Sequence, residues 1–212
     1  KSHLKGALEY PLDIEIQNRW MSTLYKVNYI FKGREIYKKY PRLGDSLINN
    51  GSIDSLTWIA EAFIYVLSSA INDIYKENIN MLNPFLIEKL TTHITNYVER
   101  IKTKNIYEEI SKDKTTLFEK LFLPFKEKLP ENFSEILIEA IKPYENELKI
   151  TTGLQDDKFN FYLIMPGIVT SSNSNFIMGD TLKWTFELGD FSGDDYMMEA
   201  VSVMYNKKQI KI

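Results

Sequence analysis

The stretch from Lys158 to Asn206 constrains the fold more than any other. Apolar residues alternate with polar ones through Phe159, Phe161, Leu163 and Met165, and again through Leu182, Trp184 and Phe186. Alternation at a period of two, interrupted by Gly, Pro, Asn and Asp, is the pattern of consecutive antiparallel strands. Pro166-Gly167 suits the central positions of a type II turn, and Gly179-Asp180 suits a hairpin turn. Ser171 to Asn175 reads as a polar loop, Leu188 to Asp195 as a second loop, and Tyr196 to Tyr205 as the last strand.

These strands need partners, and the first forty residues offer them. Leu12 to Gln17 alternates cleanly, Asn18-Arg19 is expected to turn, and Trp20 to Phe31 resumes the alternation, which together suggest a hairpin. Pro41 and Gly44 are expected to end this extended region.

Between the two β regions the period changes to that of helices. Ser52 or Asp54 can cap a helix running to about Tyr75, and Asn83-Pro84 starts a second. Lys114 to Lys128 and Ser134 to Leu148 read as shorter helices, the first interrupted at Pro124 and the second bent or ended near Pro143. The expected class is therefore α+β. An antiparallel sheet is formed by both chain ends (1–42 and 150–212), with a large α-helical insertion (43–149) in the middle.

Composition excludes several functions. With 212 residues, 44% of them hydrophobic and 13% aromatic, the chain can bury a sizeable core. There is no cysteine. Disulfides, thiolate nucleophiles, iron–sulfur clusters and Cys-based zinc sites are thereby ruled out. A net charge of −3 provides no field suited to nucleic acid or an anionic membrane. The most apolar run, Trp58 to Ile71, includes Glu61 and is shorter than the ~20 residues a membrane helix needs. Lys1 to Lys5 has no apolar core, so a targeting segment is expected to lie outside this sequence.

The candidate chemistry meets a plainer reading at each position. Lys26, Lys32, Arg34, Lys38, Lys39 and Arg42 are interleaved with aromatic residues, as on a single-strand nucleic-acid platform. Lysines guarding a sheet edge explain the same pattern, and no nucleic-acid partner is expected. His3 and His93 are too few for a histidine-rich metal site, and His93 among Thr91, Thr92 and Thr95 reads as part of an exposed face. No Gly-x-Ser-x-Gly elbow accompanies them. Asp190, Asp194 and Asp195 form the densest carboxylate group, and with Glu187 or Glu199 they could serve calcium or glycoside hydrolysis. Acidic residues are equally common in turns. Glu61 shares a helix face with Thr57, Ser68 and Asn72, which marks a wet stripe. No glycine-rich phosphate loop or dinucleotide fingerprint occurs. No catalytic, cofactor-binding or metal-binding residue is therefore assigned, and no cofactor is expected.

Three short segments carry a resemblance: Met165-Pro166-Gly167-Ile168-Val169-Thr170-Ser171-Ser172-Asn173, Gly179-Asp180-Thr181-Leu182-Lys183-Trp184, and Asp195-Tyr196-Met197-Met198-Glu199-Ala200. Together they resemble the C-terminal part of uncharacterised secreted lipoproteins of Bacteroidetes, over roughly a quarter of the chain. The resemblance implies export and a lipid anchor on a cysteine outside this sequence. The leading expectation is a non-enzymatic extracytoplasmic protein with a binding or assembly role at the cell envelope. An alternative is a module holding an apolar or lipidic ligand between sheet and helices, and another is a carboxylate-dependent hydrolase. Expected partners are thus envelope components or an apolar ligand.

Overall fold

A computed structural model describes residues 11–48, 58–77, 82–101, 108 and 113–206. The chain is α+β with antiparallel sheets, and it divides into two compact units. One comprises Lys1–Glu35 with Gly153–Ile212, and the other Ile36–Thr152.

The first unit carries the strands β1 (Asp13–Asn18), β2 (Ser22–Phe31), β3 (Lys158–Ile164), β4 (Ile168–Ser172), β5 (Phe176–Met178), β6 (Thr181–Glu187) and β7 (Tyr196–Tyr205). Both chain ends contribute, but the strands divide between two sheets. One has the order β1-β2-β7-β4 and the other β3-β6-β5. The physical cause lies in the β3–β4 connection. Gly167 takes φ +80°, as the second central residue of a type II turn must, and a Cβ there would stand 2.3 Å from the Val203 carbonyl oxygen. The turn carries the chain from the three-stranded sheet onto the edge of β7, where Ile168 pairs with Val203.

The alternation then decides what is buried. Val27, Tyr29 and Phe31 of β2, with Met198, Ala200 and Ser202 of β7, face Leu182, Trp184 and Phe186 of β6. Rings interlock across the gap: Tyr29 stacks on Phe161 at 5.5 Å, Phe31 meets Phe186 edge-on at 5.1 Å, and Phe186 stacks on Tyr196 at 4.5 Å. Burial raises the pKa of the Tyr29 hydroxyl.

Several sequence-based boundaries move. The β1–β2 connection is Arg19-Trp20-Met21, not Asn18-Arg19: Asn18 is the last residue of β1, paired with Thr23, and the Arg19 N–H donates to the Ser22 carbonyl at 2.8 Å across the turn. Ser171 and Ser172 belong to β4, which takes up a register shift between Val169 and Ser171. Loop 188–195 opens with a 3-10 turn, Leu188–Phe191, that buries both its apolar ends.

In the second unit the helices are α1 (Ile36–Lys39), α2 (Pro41–Ile48), α3 (Ile59–Glu77), α4 (Pro84–Arg100), α5 (Lys114–Phe122) and α6 (Phe133–Gly153). Helical structure therefore begins seven residues before the expected 43. Ile36, Tyr40 and Leu43 are all buried, which is helical spacing and outweighs the breaker signal of Pro41 at a first-turn position. The cap expected at Ser52 or Asp54 lies outside the described residues. Asn83 does cap α4, accepting the Leu86 N–H at 2.8 Å. After Phe122 the chain tightens into a 3-10 turn, Leu123–Lys128, with Pro124 in its first turn. Pro143 does not end α6, which continues to Gly153. Leu137 and Ile141 on one side of it and Thr151 on the other are buried, so tertiary packing outweighs the lost backbone hydrogen bond. One cluster, including Leu67, Ile71, Leu90, Ile94, Phe118 and Leu137, forms the core of this unit. Among the described residues no helix is long and apolar enough to cross a membrane.

Candidate functional site

The strand pairings bring four chain segments to one end of the β sandwich. Ser22 pairs with Tyr205 and Ile168 with Val203, while Ile164, Thr181 and Met178 align across the other sheet. The Met165 N–H donates to the Asp180 carbonyl at 2.8 Å, and the Ser202 hydroxyl to the Pro166 carbonyl at 2.7 Å, which ties the two sheets together here. The tip so formed is apolar and exposed. Trp20 stands 80% exposed at the apex of its loop, Ile164 71%, Met178 66% and Ile168 61%, with Met21 and Tyr205 beside them. Single exposed apolar side chains are ordinary, but a group of this size at the end of one unit marks an interaction surface. Each residue occupies a strand end or the short β1–β2 loop, where no neighbouring strand among the described residues covers it.

Behind the tip, Asn173 holds the sheets in place. Its side-chain oxygen accepts from the Trp184 indole N–H and from the Glu199 backbone N–H, both at 2.8 Å, and its amide donates to the Met197 carbonyl at 2.8 Å. Its own N–H donates to the Glu199 carbonyl at 3.2 Å. Trp184 is 1% exposed, so its indole N–H depends on a protein partner. Sequence reasoning missed this role. A lone Asn in a Ser-rich stretch reads as a turn residue, and its long-range partners are invisible until the register is known.

The carboxylates singled out from sequence are largely engaged by backbone. Asp195 accepts the Gly33 N–H and the Lys32 ammonium, each at 2.8 Å, and those bonds hold it below the usual carboxylate range. Asp190 accepts the Glu187 N–H at 2.8 Å in a capping box around the 3-10 turn. Its charge adds to burial in raising the pKa of Tyr196. Asp194 is exposed, and Glu199 lines a shallow polar groove of about 290 Å³ with Lys26, Asn28, Ser171 and Asn173. Among the described residues, no group of three or more His, Asp or Glu side chains could hold a metal ion. A second groove, about 400 Å³, is lined by Pro11, Tyr29, Ile30, Met197 and Met198, with Asp13, Asn28 and Glu199 at its polar side.

The remaining candidates have structural partners. His93 is not on an exposed face: it is half-buried, its Nε2 lies 2.8 Å from the Leu121 carbonyl oxygen, and its ring meets Phe125 edge-on. Glu61, half-buried on the helix face it shares with Ser68 and the exposed Asn72, accepts the Arg42 N–H at 2.9 Å near the start of α2. In the basic and aromatic segment, the rings of Tyr29, Phe31 and Tyr40 are buried, while Lys26, Lys32 and Lys39 pair with Glu15, Asp195 and Glu147. In the helical unit, the Tyr144 hydroxyl donates to Asp73, which lowers the pKa of the carboxylate, while burial and that carboxylate raise the tyrosine's.

Comparison of the chain with known protein families, characterised proteins and solved structures yields no match.

Proposed function

We propose that the protein is a non-enzymatic, extracytoplasmic binding or assembly module of the cell envelope, and that the apolar tip of its sandwich is the contact surface. The carrying observation is the group Trp20, Met21, Ile164, Ile168, Met178 and Tyr205 at one end of one unit. Covering a half-exposed apolar side chain is worth roughly 1–2 kcal/mol, so six supply about 6–12 kcal/mol before association costs of similar size are subtracted. Reversible contact is what such a balance supports. The envelope placement rests on the C-terminal resemblance to secreted Bacteroidetes lipoproteins, which also favours a lipid anchor. The engagement of Asp190 and Asp195 by backbone N–H groups supports a binding role over carboxylate hydrolysis.

Fractionation of cells producing the full-length protein tests this reading, with wild type beside a Trp20→Ser, Ile168→Ser double variant. The expected result is wild type in the envelope fraction and reduced association of the variant with envelope components. A cytosolic protein, or a variant indistinguishable from wild type, would refute it. The groove of about 400 Å³ favours a second reading, binding of an apolar ligand, because its size falls in the range of small-molecule sites. Met197→Trp, at a half-exposed position on the groove, would fill it and abolish uptake of an apolar fluorescent probe; unchanged uptake counts against it.

A further inference from the structure

Loops at the end of a sandwich are ordinarily polar, because they face water. Here the polarity runs along the strands. The segments 18–22, 164–168, 178–181 and 203–206 hold only two formally charged residues, Arg19 and Asp180, of opposite sign. Segments 32–35, 156–158 and 187–195, at the other ends of the same strands, hold ten. Part of the tip's backbone is bonded within the unit. Arg19 N–H bonds to the Ser22 carbonyl at 2.8 Å, Asn206 N–H to the Met21 carbonyl at 3.0 Å, and Met165 N–H to the Asp180 carbonyl at 2.8 Å. The Pro166 carbonyl takes the Ser202 hydroxyl, and Pro166 has no N–H to satisfy.

From these observations we infer that the tip docks into the interfacial layer of a lipid bilayer. The inference rests on the functional reading above and names the partner of that same surface. A bilayer asks for apolar side chains, for backbone groups already bonded internally, and for little charge. Trp20 and Tyr205 have the ring with a polar edge that favours the headgroup level, and Ile164, Ile168 and Met178 supply hydrocarbon. A protein partner would more commonly meet a rim of free donors and acceptors around the apolar centre. Because Arg19 and Asp180 cancel within these segments, docking rests first on apolar transfer; Lys207 and Lys208 follow Asn206 directly in the sequence, and the phosphatidylserine arm below reads any electrostatic addition.

The test uses the whole chain, sucrose-loaded phosphatidylcholine vesicles with and without phosphatidylserine, and tryptophan emission. Trp184 is buried and Trp58 half-buried, so an emission change on docking reports mainly on Trp20. Expected are co-sedimentation with both vesicle types at low and high salt, a blue shift, and quenching by brominated phosphatidylcholine. Trp20→Phe should sediment but lose the shift, and Trp20→Ser with Ile168→Ser should lower partitioning ~10-fold or more at unchanged circular dichroism. The inference is overturned if wild type does not sediment, or if the double variant sediments equally. A blue shift that appears with protein concentration alone, with a dimeric mass in light scattering, also overturns it and assigns the tip to a second copy. If vesicles fail yet the double variant still lowers envelope association in cells, the tip meets a protein and the broader function stands; if both results are null, both readings fall.

Discussion

Replacing Asn173 by Ala should destabilise the β sandwich selectively. The substitution removes three side-chain hydrogen bonds: from the Trp184 indole, from the Glu199 N–H and to the Met197 carbonyl. These are not equal. Trp184 is 1% exposed, and its stranded donor costs about 1–3 kcal/mol. The Glu199 and Met197 backbone groups lie where water can replace the amide, at about 0.5 kcal/mol each. The expected total is about 2–4 kcal/mol. Urea unfolding followed by near-ultraviolet circular dichroism and Trp emission measures it, with each unit's transition fitted separately because a two-unit chain need not unfold in one step. Asn173→Asp keeps the acceptor for Trp184 and Glu199 but not the donor to Met197, so it should recover part of the loss. Ser174→Ala is the control. The Ser174 hydroxyl is buried with no hydrogen-bond partner, so its removal should change stability by less than about 0.5 kcal/mol. An Asn173→Ala variant as stable as Ser174→Ala would refute the assignment of Asn173 as the tie between the sheets.

Other predictions test the packing around it. Gly33→Ala places a Cβ 2.4 Å from the Gly193 carbonyl oxygen, a backbone contact that cannot rotate away. It should cost more than about 2 kcal/mol and raise amide exchange across 190–195, and ordinary protection there would refute the close approach. Because Asp195 titrates below its ordinary value, its bonds to Lys32 and Gly33 contribute stability that is present above the unfolded-state pKa of ~3.9 and lost as pH falls through the depressed value. Asp195→Asn should flatten the acid limb of stability against pH, and an unchanged limb would locate that dependence elsewhere. In the helical unit, Tyr144→Phe removes the hydroxyl donated to Asp73 between α6 and α3. It should lower stability by about 1 kcal/mol and return the Asp73 carboxyl toward its ordinary pKa by NMR titration.

The class of the fold and the nature of its elements are legible in the residues alone. Period-two alternation in 158–206 and in the first thirty residues specifies strands, because side chains of a pleated strand point to opposite faces. Helical spacing through 59–77 and 84–100 specifies amphipathic helices. Local punctuation was also legible where one residue decides it: Asn83 as a cap, and Gly167 as the positive-φ residue of its turn. Continuity through Pro143 and the helix over Pro41 were not, because buried neighbours distant in sequence outweigh a local breaker. The division into two sheets was equally hidden, since alternation says which face is buried but not against which strand. The candidate site belongs wholly to this second category. Trp20, Ile164, Ile168, Met178 and Tyr205 each read locally as an ordinary strand residue, and only the antiparallel register brings their strand ends to one place. Exposure is a property of what fails to pack over a residue, which pairwise local pattern does not encode.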